Sequence, residues 1–310
     1  MATKKKGNKD EKDINVDGHE VHLTNQKKIY FPDDNITKGD VINYYDKMYK
    51  YILPYLQDRP ESLRRQPNGI LDEGFYHKDA GDEAPSWVET VVVRSDSENK
   101  KINYILCNNK ATLLYLANLG CIELNPWFSR INNMENPDYL VIDIDPSPKN
   151  TFDEVIEAAL AVKEILDRAG VPGYCKTSGA SGMHVFVPLG AQYTYDNVKD
   201  FSHLIAILAQ QLLPGTTSLE RSLSKRGNKI YLDYLQNRRG QTLASVYSLR
   251  AQPGASASTP LDWKELKKGL HYSQFTIKTL PRRVQKIGDI FHPVLAEGID
   301  INKCLKKLGA

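Results

Sequence analysis

The stretch DYLVIDIDPSP, residues 138–148, decides the fold, because it places two aspartates at the end of an otherwise apolar strand. The run 139–142 is β-branched and aromatic, and prolines follow the aspartates, as turn residues commonly end a strand. Residues two apart on a strand share a face, so Asp143 and Asp145 project together with β-carbons roughly 7 Å apart. Two carboxylates beside an apolar core need a cation or a shared proton to offset repulsion and desolvation. Metal binding is therefore the first hypothesis, although an Asp-x-Asp pair alone is more commonly a strand end exposed to water.

Helical and extended patterns alternate around this strand. Residues 151–169 and 198–213 have the apolar period of amphipathic helices, and residues 174–188 are typical of an antiparallel hairpin with a glycine-rich turn. This order predicts an α+β fold with mixed, largely antiparallel sheets and flanking helices, rather than a doubly wound parallel sheet. Residues 251–260, AQPGASASTP, are expected to form a flexible segment before a C-terminal helical stretch.

Composition indicates an ordinary globular protein of 310 residues, 41% hydrophobic and 25% charged. The four cysteines form no CxxC pair, so neither a zinc site nor a disulfide scaffold is indicated, and a reducing cytoplasm is expected. No run of about 18 apolar residues is present, so no membrane association is predicted. Residues 1–17 are expected to be a disordered tail.

The charges are unevenly distributed along the chain. Residues 131–160 carry seven acidic residues and one basic residue, whereas residues 221–286 carry fourteen basic and three acidic residues. Any single lysine in this region can be explained as a residue on a solvated helix face. The basic cluster as a whole favours contact with a phosphate backbone.

A third acid strengthens the metal hypothesis. Asp233 lies within the strand-like run NKIYLDYLQN, residues 228–237, of the same predicted sheet. Carboxylate oxygens of this kind suit Mg²⁺ or Mn²⁺ rather than a soft metal. Two such ions about 4 Å apart activate an attacking oxygen and stabilise the leaving oxygen of a phosphoryl displacement.

The turn KTSGASGMH, residues 176–184, can supply the phosphate contacts. Its glycines allow backbone N–H groups to converge, and Ser178 and His184 add side-chain donors. An ordinary hairpin with His184 satisfied inside the sheet is the alternative. Arg238 and Arg239, which follow the third acid, could contact phosphate or form surface ion pairs, and the sequence does not decide between these.

The ordered motifs closely resemble the polymerase domain of bacterial ligase D, an end-joining enzyme of the archaeo-eukaryotic primase superfamily. They include RPESLRRQPNG (59–69), FYHKDA (75–80), DYLVIDIDPSP, KTSGASGMHVFVPL (176–189), YLDYLQNRRGQT (231–242) and YSLRAQPGAS (247–256). The resemblance runs from about residue 18 to residue 300. It implies a primase-polymerase domain over 18–300, an RRM-like catalytic module beside a second α/β module with the active site between them, and a C-terminal tail over 301–310.

The resemblance also implies a function. The chain would be a template-directed nucleotidyltransferase that fills gaps and adds nucleotides at DNA double-strand breaks during non-homologous end joining. It would use two Mn²⁺ or Mg²⁺ ions and an NTP or dNTP, with a preference for ribonucleotides. The implied partners are DNA with a 5′-phosphate, Ku, and ligase or nuclease domains, and the implied location is the bacterial cytoplasm, associated with the nucleoid.

Site residues follow by matching positions of this sequence to the motifs. The catalytic metal ligands match Asp143, Asp145 and Asp233, and the positions that bind the incoming nucleotide match Ser178, His184, Gln236 and Arg250. The pair that holds a 5′-phosphate matches Lys28 and Lys38. An aromatic that stacks on a template base matches Phe75 or Tyr76, and a basic loop near the DNA end matches Arg226. Stacking suits this role because every base offers a π face.

Two nucleotide-site positions depart from the family pattern. Ser181 stands where the family usually has Lys, which removes a positive charge expected near the triphosphate, and Asn125 stands where it usually has His. Asn keeps hydrogen bonding but does not titrate near neutral pH. Either change could alter nucleotide affinity or sugar choice. One alternative is therefore a DNA-end-binding module that recognises a 5′-phosphate and catalyses little; another is a two-metal nuclease, which the triphosphate-type cluster argues against.

Overall fold

The computed structural model describes residues 10–81, 83–95 and 100–309, and within these ranges it shows an α+β fold. The strands are β1 (Lys12–Val16), β2 (His19–Leu23), β3 (Ile29–Phe31), β4 (Ile36–Thr37), β5 (Glu61–Arg65), β6 (Phe75–His77), β7 (Thr90–Ser95), β8 (Lys100–Ile105), β9 (Cys121–Pro126), β10 (Tyr139–Asp145), β11 (Tyr174–Thr177), β12 (Met183–Pro188), β13 (Thr217–Ser218), β14 (Ile230–Asp233) and β15 (Pro260–Leu261). The α-helices are α1 (Lys38–Leu56), α2 (Lys110–Asn118), α3 (Phe152–Ala169), α4 (Tyr195–Leu212), α5 (Leu223–Arg226), α6 (Leu280–Ile287) and α7 (Ile301–Leu308), and short 3₁₀ helices cover Trp263–Glu265, Tyr272–Gln274 and His292–Leu295. None of the helices in these ranges combines the length and apolarity that crossing a bilayer requires.

The largest sheet of the described residues has six strands in the order β13-β14-β10-β12-β11-β15. Only the short β13–β14 pair in it is parallel; the other neighbours are antiparallel. The predicted hairpin is present as β11 and β12. The aspartate strand β10 lies between β14 and β12, so its end has neighbours on both sides. The predicted mixed, largely antiparallel sheet with flanking helices is confirmed.

The two faces of β10 belong to two separate cores, because side chains alternate along a strand. Leu140, Ile142 and Ile144 pack in the core formed with α3 and α4. Tyr139 and Val141 pack instead in the core that contains α1, α2 and β9. By the same alternation, the aspartates at 143 and 145 face the N-terminal half of the chain, so the cleft between the two cores opens at the acidic end of β10.

Local sequence signals set the helices that flank this cleft. Thr37 caps α1, and Thr151 caps α3, each with an acid three residues later that completes a capping box. Gly170 ends α3 in the left-handed conformation. Each of these signals lies within three residues of the helix end that it sets.

The structure differs from the sequence predictions in three places. Residues 12–16, predicted as part of a disordered tail, form β1 and pair with β2; residues 1–9 lie outside the described residues. Residues 301–308, predicted as tail, form α7, whose Ile301 and Cys304 are buried in the core beside α3. The flexible segment predicted over 251–260 is wrong, because residues 255–259 are fully buried and β15 pairs with β11. The limits 18–300 of the primase-polymerase domain stay a prediction.

Candidate active site

The three acids lie together on one face of the six-stranded sheet. Asp143 on β10 is directly opposite Asp233 on β14, and directly opposed residues of an antiparallel pair point to the same side. Asp145 lies two residues further along the same strand face. The side chain of Asp143 is 15% exposed and that of Asp145 is 55% exposed, so the group begins inside the cleft and ends at its mouth.

The electrostatics of this face are unfavourable without a cation. Burial, reinforced by the charges of Asp145 and Asp233, raises the pKa of Asp143 to about 8. Burial also raises the pKa of Asp233, whose Oδ1 accepts a hydrogen bond from the backbone N–H of Leu235 at 2.8 Å. Arg226 offsets part of this charge, with its Nη2 3.5 Å from Oδ2 of Asp145. Three carboxylates in this setting form the donor set that a hard divalent cation neutralises.

In this structure the three acids do not form a closed set of metal ligands. Across the described ranges, no three His, Cys, Asp or Glu side chains converge closely enough to hold an ion as they stand. Oxygen donors on adjacent strands fit Mg²⁺ or Mn²⁺ by chemistry and by shared face, and the side chains of Asp143, Asp145 and Asp233 would have to turn toward one another to bind it. Metal binding by these residues therefore belongs to the proposal below.

His184 lies next to the acids, and a buried lysine contacts the opposite side of its ring. It lies opposite Asp143 on β12, with Nε2 3.4 Å from the Oδ1 of that carboxylate. On the other side of the ring, Nδ1 is 2.8 Å from Nζ of buried Lys176. Burial, together with the neighbouring charges of Lys176 and Arg250, lowers the pKa of His184 well below its usual value. These effects favour the neutral imidazole, whose Nε2 faces the carboxylate of Asp143.

Ser178 stabilises the glycine-rich turn after β11 by accepting hydrogen bonds from the backbone of the turn. Oγ of Ser178 accepts hydrogen bonds from the backbone N–H groups of Ala180 (3.0 Å) and Gly182 (3.2 Å), which leaves its hydroxyl proton available to a ligand. Glycine is required at two positions, since a β-carbon on Gly179 would lie 2.7 Å from the backbone nitrogen of residue 258, and one on Gly182 would lie 2.5 Å from the backbone oxygen of residue 144. The turn is therefore packed tightly against the end of β10.

Arg250 joins this turn to the N-terminal half of the chain. Its Nη1 donates to the carbonyl oxygen of Ser178 at 2.6 Å, and its Nε lies 3.2 Å from Oε1 of Glu123 on β9. The same Oε1 accepts the backbone N–H of Ala251 at 3.0 Å. The guanidinium is thus fixed between two modules and faces the same cleft as the acids.

These groups line one pocket of about 190 Å³. The sequence-predicted residues that line it are Asp143, Asp145, Ser178, Ser181, His184, Arg250, Asn125 and Tyr76. Asn125 is buried and donates through Nδ2 to the carbonyl oxygen of Ser62 at 2.9 Å, whereas Ser181 is exposed at the pocket's edge. The two departures from the family pattern therefore lie at the same pocket.

Other predicted residues lie away from the pocket lining. Gln236 does not line it, and its Oε1 is buried without a hydrogen-bond partner among the described residues. Phe75 is 46% exposed on β6, next to Tyr76 at 60%, and neither ring is part of a core. Arg226 is buried, with its guanidinium 5.1 Å from the ring centre of Tyr231, so it supports the acids; its predicted role at a DNA end stays a prediction.

Lys28 and Lys38 lie next to each other at the β3–β4 hairpin. The backbone N–H of Lys38 donates to the carbonyl oxygen of Lys28 at 2.8 Å. Lys28 is exposed, whereas Lys38 is 4% exposed and donates to Oγ1 of Thr24 at 3.2 Å. Burial, together with the charge of Lys28, lowers the pKa of Lys38 to about 8. Two adjacent amines of this kind suit a phosphate.

Sequence reasoning did not single out Glu123 or Lys176. Both act through another side chain, Glu123 on Arg250 and Lys176 on His184. A signal for Lys176 was present, because the hairpin register places it directly opposite His184. No comparable local signal exists for Glu123, whose partner lies more than a hundred residues away in the chain.

Comparisons with known proteins agree with this geometry. A family model described as "LigD, primase-polymerase domain" matches residues 37–291. A bifunctional non-homologous end joining protein LigD of Bacillus subtilis is 33% identical over 269 residues, which are 86% of this chain and 43% of that protein. A multifunctional LigD of Pseudomonas aeruginosa is 30% identical over 268 residues, 86% of this chain and 32% of that protein. The chain spans less than half the length of these curated relatives.

One solved structure extends the agreement to the fold. The polymerase domain of Mycobacterium tuberculosis ligase D in complex with DNA superposes with a TM-score of 0.82 at 25% identity, covering 90% of this chain and 99% of that domain. The resemblance inferred from the motifs is thereby confirmed. This chain belongs to the LigD primase-polymerase domain family, a family of DNA-directed nucleotidyltransferases.

Proposed function

We propose that this chain is a template-directed polymerase that fills gaps and adds nucleotides at DNA double-strand breaks during non-homologous end joining. The observation that carries the proposal is one sheet face on which Asp143 lies between Asp233 and His184. Asp143, Asp145 and His184 line the same pocket as Ser178 and Arg250, and Asp233 adjoins it. Nucleotidyl transfer needs both the acids and the donors, because hydroxyl activation requires cations and the triphosphate requires fixed donors.

In this mechanism each side chain has a position-specific task. Asp143 and Asp145 would hold both divalent ions and Asp233 would hold the ion nearer the primer terminus; when bound, Mn²⁺ or Mg²⁺ lowers the pKa of the 3′-hydroxyl and neutralises charge on the phosphates. Ser178 and the turn donate to phosphate oxygens. His184 donates from Nε2, and Arg250, already fixed by two contacts, neutralises the departing pyrophosphate.

The proposed substrates follow from the same residues and from the family. They are an NTP or dNTP, with ribonucleotides preferred, and DNA that carries a 5′-phosphate at a gap or broken end. Lys28 and Lys38 would hold the 5′-phosphate, Tyr76 or Phe75 would stack on a template base, and Gln236 and Asn125 would act at the nucleotide. A cytoplasmic protein that works at the nucleoid with Ku and ligase or nuclease domains completes the proposal.

Primer extension tests it directly. The substrate is a gapped duplex with a downstream 5′-phosphate, supplied with Mn²⁺ and either ATP or dATP. Wild type should extend the primer, Asp143→Ala should not, and Asp200→Ala, which removes an acid that is 77% exposed on α4, should behave as wild type. Faster extension with ATP would establish the ribonucleotide preference. Extension by Asp143→Ala would refute the assignment of the acids.

A DNA-end-binding module with little catalysis is the second candidate. It is favoured by the separate Lys28–Lys38 pair, which needs no acid, and by the missing charge at Ser181. This candidate predicts 5′-phosphate-dependent binding that survives Asp143→Ala, with no nucleotide incorporation by wild type.

A further inference from the structure

One acid of the catalytic pocket is not among the proposed metal ligands. Glu123 lines the pocket from β9, whereas Asp143 and Asp145 line it from β10. The side chain of Glu123 is 11% exposed, so a nearly buried negative charge shares the pocket with the two aspartates. A further carboxylate beside a site for phosphates is unfavourable unless a cation pairs with it.

Arg250 is the cation that pairs with Glu123. Among the described residues that line the pocket it is the only lysine or arginine, and its Nε lies 3.2 Å from Oε1 of Glu123. This contact is an ion pair rather than a hydrogen bond, because Nε is buried without a hydrogen-bond partner in the described ranges. The same Oε1 accepts the backbone N–H of Ala251 at 3.0 Å. One carboxylate therefore holds both the guanidinium and the backbone that follows it.

The stem of Arg250 is packed tightly, so a change of partner would move mainly the guanidinium. A β-carbon on Gly179 would lie 2.7 Å from Cγ of Arg250, which shows how closely the stem approaches the glycine-rich turn. The backbone N–H of Arg250 donates to the carbonyl oxygen of Ser256 at 2.8 Å. Within the described ranges, the guanidinium itself is held by Glu123 and by the carbonyl oxygen of Ser178, which is uncharged.

Without Glu123, the strongest attraction on this guanidinium would come from the proposed metal ligands. Asp143 and Asp145 carry the other negative charges of the described pocket lining. The field of Arg250 already reaches Asp143, because burial raises the pKa of that carboxyl and the charge of Arg250 acts in the opposite direction. An arginine that pairs with these carboxylates would compete with a divalent cation for the same oxygens.

We infer that Glu123 is a positioning residue. It holds the guanidinium of Arg250 beside the glycine-rich turn, and it thereby leaves the carboxylates of Asp143 and Asp145 available to the divalent cations. The inference rests on the proposed function, because it concerns the metal ligands named there. It adds a residue that acts on the metal site through Arg250 instead of binding the metal itself.

Binding of Mn²⁺ without DNA or nucleotide tests the inference, because this measurement does not depend on turnover. Electron paramagnetic resonance of free Mn²⁺ gives the affinity of wild type, and Asp143→Ala shows which part of the binding belongs to the acids. Glu123→Gln keeps the size of the side chain and removes its charge. This variant should weaken the Asp143-dependent binding about 5-fold, since the released guanidinium competes with the ion.

A double-mutant cycle with Arg250→Gln separates this competition from the simple loss of a nearby negative charge. If Glu123 acts through Arg250, Glu123→Gln should have little effect on Mn²⁺ affinity once the guanidinium is absent. A general charge effect would instead be the same in both backgrounds. Urea denaturation of all variants shows whether any of them loses affinity through a folding defect.

Glu265→Gln is the matched control. Glu265 also pairs with an arginine, Nη1 of Arg283 at 2.7 Å, and also accepts a backbone N–H, that of Asp262 at 2.8 Å. It follows the edge strand β15 and does not line the catalytic pocket. This variant should therefore bind Mn²⁺ as wild type does.

The possible outcomes distinguish the inference from the proposed function. Equal weakening by Glu123→Gln in both backgrounds, or no weakening in wild type, would overturn the inference, as would a wild type without Asp143-dependent Mn²⁺ binding. If the cycle behaves as expected while wild type extends no primer, the proposed polymerase function fails and the role of Glu123 stands. If primers are extended and the cycle is additive, the function stands and the role of Glu123 fails.

Discussion

Nζ of Lys176 lies 2.8 Å from Nδ1 of His184 and donates to the carbonyl oxygen of Ala244 at 2.9 Å and to Oγ of Ser258 at 2.6 Å. Because that serine hydroxyl donates its own proton to the carbonyl oxygen of Thr177 at 3.0 Å, its Oγ is an acceptor for the lysine. In its charged form the lysine meets three acceptors with three N–H bonds, and burial lowers its pKa well below the usual value. With the lysine charged, the imidazole proton lies on Nε2, which faces the carboxylate of Asp143.

Lys176→Met should therefore impair nucleotide use beyond its effect on folding. The variant keeps the side-chain volume but lets the imidazole proton occupy either nitrogen, so we expect kcat/KM for the nucleotide to fall about 10-fold, which is about 1.4 kcal/mol. Nitrogen NMR of His184 should show Nε2–H in wild type and a mixture of tautomers in the variant. A variant with lowered stability but unchanged tautomer and kcat/KM would show that Lys176 is only structural.

Ser181→Lys should strengthen nucleotide binding. The serine is exposed at the edge of the catalytic pocket, and a lysine there would restore a charge that the family usually has beside the triphosphate. A charge-assisted contact of about 1 kcal/mol corresponds to about a 5-fold lower KM. Ser273→Lys is the charge-matched control, since it lies in the segment that packs on α3, behind the sheet. Equal effects of both substitutions would indicate general attraction instead of a local contact.

The parts of the fold that were predictable from the sequence depend on local chemistry. The caps Thr37 and Thr151, the stop at Gly170 and the alternation in β10 involve residues within a few positions of one another. The chemistry of the acids was also predictable, because two aspartates at the end of a buried strand need a cation or a proton to neutralise them. The exact pairing of Asp143 with Asp233 is a tertiary fact that only the structure supplies.

The segment 251–260 failed as a prediction for an instructive reason. Small residues there were interpreted as a linker, yet Ala255 and Ala257 are fully buried and Ser258 accepts from Lys176. The segment passes so close to the glycine-rich turn that a β-carbon on Gly179 would lie 2.7 Å from the backbone nitrogen of Ser258. Composition alone does not distinguish small residues that permit flexibility from small residues that permit close packing.

If Lys28 and Lys38 hold a 5′-phosphate as proposed, binding of that phosphate should weaken as pH rises through about 8. Lys38 has its pKa lowered to about 8 by burial and by Lys28, so it is largely charged at pH 7 and largely neutral at pH 9. We expect the affinity advantage of 5′-phosphorylated over 5′-hydroxyl ends to fall over that interval. In Lys28→Ala, the loss of the neighbouring charge should move the remaining transition to higher pH. An advantage that stays constant from pH 7 to 9 would exclude Lys38 from the phosphate site.

Glu61 should destabilise the fold near neutral pH. The residue is fully buried on β5, and both carboxylate oxygens lack a hydrogen-bond partner among the described residues. Burial raises its pKa well above the usual value. As pH rises, the unfolded chain releases this proton near its pKa of about 4.3, whereas the folded state keeps the proton to higher pH. The contribution of Glu61 to the free energy of unfolding is therefore most favourable at low pH, and it becomes less favourable as pH rises toward the folded-state pKa.

Glu61→Leu should consequently stabilise the protein, and more at pH 8 than at pH 5. Removing a buried carboxyl without a partner among the described residues should add about 1–3 kcal/mol to the free energy of unfolding, measured by urea denaturation at both pH values. Glu61→Gln is the control, because it removes the titrating proton and keeps a buried polar group, so it should abolish this part of the pH dependence with a smaller gain. If the gain of the leucine variant were the same at both pH values, the carboxyl would not titrate in this interval and the assignment of its raised pKa would fail.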